Sequence, residues 1–173
     1  MANGFKALRH VGGGVQRLSE YPIADAYAAD LFNGDLVKLN AGSVELAVAA
    51  DTTEPVGSFL GCMYVGPKGE QVFSPNWPDA LANTSERYAL VNEDKGVSYK
   101  VYALAAADLA VGDRVDVATA AGGSVLTGAS GMTVAATGTT SNIVVRKILE
   151  EDVDVDGTAF DIVEVNLTEA AAA

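Results

Sequence analysis

The chain has little of what most active sites are built from. Cys62 is its one cysteine and His10 its one histidine among 173 residues. A single cysteine excludes an intrachain disulfide and any cysteine-based metal site. With one histidine there is no Cys–His or Ser–His pairing of nucleophile and base, and no G-x-S-x-G occurs. The three glycines Gly12, Gly13 and Gly14 lack the Lys-Ser/Thr of a phosphate loop and read as a flexible linker. Cys62 lies in the apolar run FLGCMYV, where a buried, inert thiol is expected. No run approaches the eighteen or so apolar residues of a membrane span. The opening Met-Ala-Asn-Gly-Phe-Lys has no apolar segment after it, so synthesis in a cytoplasm is expected.

Acid is abundant. Net charge is −12, but residues 1–19 hold Lys6, Arg9 and Arg17 and no acid, which leaves −15 on the remainder. A body that acidic repels phosphate backbones, so no nucleic-acid partner is expected, nor a membrane. Residues 1–20 read as an extended basic arm able to dock on an acidic partner surface, with residues 21–169 as a β-rich body and 170–173 as a loose tail. Eighteen glycines and abundant Val, Thr and Ala favour short strands and tight turns.

A strand-forming motif occurs twice. Ala29-Asp30-Leu31-x-x-Gly34-Asp35-x-Val37-x-Leu39 is repeated as Ala107-Asp108-Leu109-x-x-Gly112-Asp113-x-Val115-x-Val117, with six of eleven positions identical. Gly42-Ser43-Val44 is echoed by Gly123-Ser124-Val125. Two similar β units are therefore expected near 29–48 and 107–126. Further strands are expected in 55–65, 70–74, 88–91, 96–104 and 143–149. A last hairpin is expected over 153–165 around Asp156-Gly157, with 75–87 as a long surface loop. Short strands at this spacing predict an all-β fold, a small barrel or sandwich.

Candidate metal and acid–base residues are few. Asp152-Val153-Asp154-Val155-Asp156-Gly157 fits the start of a calcium loop, but its twelfth position is Val163 where a bidentate Glu is needed. A solvated hairpin is the expectation there. Glu150, Glu151 and Asp152 read as a solvated charge run. No catalytic residue, metal ligand or cofactor is assigned, and the chain is expected not to be an enzyme.

Residues 3–105 resemble small tailed-phage virion proteins encoded near the major capsid gene, the decoration, cement or minor structural proteins. The resemblance rests on segments in order. These are Asn3-Gly4-Phe5-Lys6-x-x-Arg9-His10, Ala26-Tyr27-Ala28-Ala29-Asp30-Leu31-Phe32-Asn33-Gly34-Asp35-Leu36-Val37, Gly57-Ser58-Phe59-Leu60-Gly61-Cys62-Met63-Tyr64, Gly69-Glu70-Gln71-Val72-Phe73-Ser74 and Asn76-Trp77-Pro78. It implies a protein on the exterior of the virion capsid that bridges subunits of the major capsid protein, as a homotrimer or other small homo-oligomer. Phe5, Lys6, Arg9, His10 and Arg17 of the arm are then the capsid-contact candidates. A head-fibre base or a host-surface-binding module is the alternative, through residues 75–87 or 127–142.

Overall fold

The computed structural model describes residues 4–24, 27–48, 54–77, 85–104, 108–119, 123, 130–136, 141–155 and 158–168. All regular elements are strands, as expected: β1 (Lys6–His10), β2 (Leu18–Pro22), β3 (Leu31–Phe32), β4 (Leu36–Asn40), β5 (Ser43–Leu46), β6 (Gly57–Val65) and β7 (Gln71–Ser74), followed by β8 (Asn76–Trp77), β9 (Ser85–Asn92), β10 (Val97–Leu104), β11 (Arg114–Thr119), β12 (Thr133–Ala136), β13 (Ile143–Val155) and β14 (Thr158–Leu167).

Two five-stranded circuits follow one another along the chain. The second runs β10-β14-β13-β11-β12 and closes on itself through the parallel pair Ala103–Val134. The first runs β2-β9-β6-β4-β5 and completes the same circuit through the parallel bridge Ile23–Val44. Every other pairing within the two circuits is antiparallel. Registers correspond as well. Leu36–Ser58 and Val37–Gly57 answer to Arg114–Val144 and Val115–Ile143, and Phe59–Val91 answers to Val145–Val165. A bulge follows in each case, between Phe59 and Gly61 and between Val145 and Lys147.

The repeated motif makes the same turn twice. Gly34 and Gly112 adopt φ of 96° and 98°, a conformation that glycine takes without steric cost. Asp35 Oδ2 accepts the Phe32 N–H at 2.8 Å, and Asp113 Oδ2 accepts the Ala110 N–H at 2.7 Å. Each turn is then stitched to its long strand. Gly34 N–H donates to Phe59 O and Phe59 N–H to Asp35 O, while Gly112 N–H donates to Val145 O and Val145 N–H to Asp113 O. The motif is therefore the corner at which each barrel turns its second strand onto its fourth.

One expectation about the repeat is corrected. The partner of β11 is Thr133–Ala136, so the counterpart of Ser43–Leu46 lies beyond residues 120–132 and not at Gly123–Leu126. Ser124, Val125 and Leu126 fall outside the described residues, as do Ala107, the Asp156-Gly157 turn and the tail at 170–173.

Each barrel has its own core. Val37, Val44, Phe59, Cys62, Ala89 and Val91 fill the first, with Leu31 and Trp77 capping it. Tyr99, Val101, Val115, Val134, Ile143, Val145, Val163 and Val165 fill the second. Trp77 is fully buried and Asn76–Trp77 pairs with Leu31–Phe32, which overturns the reading of its segment as surface loop. An indole takes a large apolar area out of water when it is buried, which favours the inside position. Residues 93–96 carry the chain from one barrel to the other rather than closing a hairpin, since β9 and β10 lie in different sheets.

The joint between barrels combines apolar packing with backbone hydrogen bonds. Leu36 and Ala47 from the first barrel pack into the second core. Phe5 N–H donates to Gly34 O at 2.7 Å, Ser130 N–H to Asn33 O at 3.1 Å and Gly4 N–H to Met132 O at 2.9 Å. Asp35 lies in this joint, hydrogen-bonded by Ser130, and burial pushes its carboxyl up to about 6.

Candidate interaction surface

Residues 1–20 are expected as an extended basic arm, and the described part, residues 4–20, is extended and lies along the body. β1 pairs with the first half of β10, on the edge whose second half pairs with β12, and β2 is a strand of the first barrel. β1 itself is exposed along most of its length, and Phe5, just before it, anchors the segment. Phe5 turns inward, is buried, and meets Tyr99 edge-on at 6.1 Å. It is a core residue, and so the one arm candidate that the structure removes from the surface.

Lys6 stays outside, and register assembles a basic cluster around it. Lys6, Lys100, Glu164 and Lys147 stand side by side on β1, β10, β14 and β13. Arg9 reaches the same point. Its Nε donates to Glu164 Oε1 at 3.0 Å and its Nη2 to Oε2 at 3.2 Å, a two-point grip on a carboxylate. Burial of Glu164 opposes its ionisation. Hydrogen bonds from Ser98 and Arg9, with the charges of Arg9 and Lys147, outweigh that and hold its carboxyl below the usual range. Four bases thus surround one buried acid on the outer face of an acidic chain. The sequence reading found Lys6 and Arg9 and missed Lys100 and Lys147, whose place depends on strand register.

His10 organises the glycine run that read as a flexible linker. Its Nδ1 accepts the N–H of Gly12 at 3.1 Å and of Gly14 at 3.0 Å, and its Nε2 faces Asp94 Oδ2 at 3.2 Å. An Nδ1 that accepts two N–H groups leaves Nε2–H as the donor to Asp94. The ring is packed by glycines: a Cβ on Gly96 would stand 2.7 Å from Nε2, and one on Gly14 3.1 Å from Cε1. Asp94 also accepts the N–H of Gly96 and of Arg17, and these hydrogen bonds hold its carboxyl down. Arg17 Nε pairs with Glu93 Oε1 at 3.1 Å; Ser19 Oγ donates to the same oxygen and Tyr21 OH to Oε2. Those two hydrogen bonds hold the Glu93 carboxyl below its ordinary range.

Besides the paired Arg9, His10 and Arg17, the strip from β1 to β2 exposes apolar side chains that the sequence reading did not single out. Leu8, displaced at a bulge in β1, joins Val11, Val15 and Leu18, and Val15 is 93% exposed. An open cleft of about 420 Å³ lies between the barrels beside this strip, lined by Arg17, Tyr21 and Glu93 on one side and Asn142 and Thr168 on the other. Cys62 is fully buried, and burial pushes its thiol up to about 12. No group of three or more His, Cys, Asp or Glu side chains able to hold a metal ion occurs among the described residues, and Val163 points into the second core. No helix among the described residues is long and apolar enough to cross a membrane.

No protein-family model matches the chain, and no curated protein does. One solved structure that matches is the C-terminal fragment of bacteriophage phi29 gene product 12. It is 14% identical over 96% of this chain and 100% of that one, with a TM-score of 0.36. A superposition that loose carries no argument about fold or role.

Proposed function

We propose that the chain is a non-enzymatic structural protein of a tailed-phage virion, docking on the outside of an assembled capsid shell and bridging subunits of the major capsid protein. The observation that carries this reading is the basic cluster. Lys6, Arg9, Lys100 and Lys147 gather on one outer face of a chain whose net charge is −12, beside exposed Leu8. Such a face suits an acidic protein surface, with charge steering the encounter and apolar contact holding it. The phage setting rests on the ordered resemblance segments, most of which build the first barrel's core. Leu31, Phe59, Cys62 and Trp77 all lie inside it. A protein that binds only the assembled shell stabilises it by mass action.

The test is co-sedimentation with assembled shells of the major capsid protein from the same phage. The wild-type chain is expected to pellet with shells and not with free capsid subunits. Lys6→Glu with Lys147→Glu is expected to weaken binding at least tenfold at low salt. Failure of the wild type to pellet would end the reading. Density at a few sites only, rather than over the whole shell, would favour a head-fibre base or host-binding module.

A further inference from the structure

The outside of the first barrel has a different chemistry from the basic strip. Registered pairs set Phe73, Met63, Tyr88 and Pro22 in one row across β7, β6, β9 and β2. Antiparallel partners share a face, so the row is continuous. Phe73 is 59% exposed and Tyr88 42%. The Phe73 ring lies over Gly61, where a Cβ would come within 2.8 Å of it. Leu90 and Leu18 extend the same face along β9 and β2. None of these side chains is needed inside, because Phe59, Cys62, Ala89 and Val91 already fill the core from these strands. A contiguous apolar row of this kind on a folded surface marks a docking site.

The charges around the row indicate what docks. Glu20 and Glu86 are exposed on β2 and β9. The four strands contain no lysine, and Arg87, their one arginine, donates from Nε to Ile23 O. Two copies meeting face to face would therefore oppose acid to acid. We infer that this face is a second docking surface, and that its occupant is a different protein presenting apolar side chains rimmed by Lys or Arg. It stands independently of the shell-binding reading, whose basic cluster lies on β1 and the second barrel.

The experiment measures fluorescence anisotropy with two synthetic strand-forming peptides, one alternating Leu and Lys, the other alternating Leu and Glu. The Leu/Lys peptide is expected to bind the wild-type chain, at least tenfold more weakly to Phe73→Ser/Tyr88→Ser, and unchanged to Lys6→Glu/Lys147→Glu. The Leu/Glu peptide is expected to bind at least tenfold more weakly than Leu/Lys. If the double serine variant melts early, Pro22→Glu, at the exposed margin, serves in its place. Equal binding by wild type and face variants, or equal binding of both peptides, overturns the inference. So does sedimentation showing a wild-type dimer that the face variants dissolve, since the occupant is then a second copy.

Discussion

The two barrels follow one path and wear opposite coats. Strand order, closing bridge, corner turn and bulge coincide, yet the position of Gly61 beside Leu90 in the first barrel is held by Lys147 beside Glu164 in the second. The path is set by what points inward, small and β-branched apolar side chains around a narrow interior. Outward positions are released from that constraint. One barrel spends them on an apolar row, the other on a basic cluster. A repeated scaffold can thus carry two unlike surfaces.

The comparison can be broken most forcefully through the cores. Trp77→Ala is expected to cost about 3–5 kcal/mol, since it empties the largest buried site of the first barrel. Because Leu36 packs into the second core, chemical denaturation should show one shifted transition. Two resolved transitions would make the barrels independent folding units.

The paired corner turns sharpen it next. Asp35 is buried and Asp113 exposed, although both make the same hydrogen bond. With its carboxyl at about 6 in the folded chain, against about 4 unfolded, Asp35 holds a proton that the unfolded chain has released. Its contribution is therefore complete below pH 4 and is lost as pH rises through 6, by roughly 3 kcal/mol. Asp35→Asn should flatten that slope in denaturation curves taken from pH 4 to 8. Asp113→Ala should cost only about 1 kcal/mol, the value of a turn hydrogen bond. Glu164 has the opposite sign. Its lowered carboxyl contributes above the ordinary carboxylate range, and the contribution is lost on acidification.

Smaller effects come from the strip between the barrels. His10→Ala removes the acceptor of two backbone N–H groups and should cost about 1 kcal/mol, read most directly as faster proteolysis within residues 11–17. Arg9→Ala should cost about 1 kcal/mol in low salt and less in high salt, because the guanidinium is largely exposed.

Much of the fold was legible in the chain. The Gly-Asp corners, the alternation of β5 and β10 and the all-β class follow from spacing and turn chemistry. What was not legible depended on partners distant in sequence. Three successive glycines look loose until an imidazole is placed among them. Trp77 between prolines looks like loop until β3 lies beside it. Residues 133–136 are small and carry little signal, yet they form the strand that closes a barrel, because its interior admits only Val134 and its like. Lys100 and Lys147 join Lys6 through register alone, which no local pattern reports.

The pairing of β1 also bears on the order in which the molecule is made. Among the described residues its one partner is β10, the opening strand of the second barrel. Until β10 is made, β1 lacks its strand partner, and Phe5, whose N–H bonds Gly34 O of the first barrel, lacks the Tyr99 ring it packs on. Contacts between the start of the chain and its later half are slow to form. The basic cluster of Lys6, Lys100 and Lys147 is thus completed only after both barrels exist, so a chain cut after the first barrel would lack it.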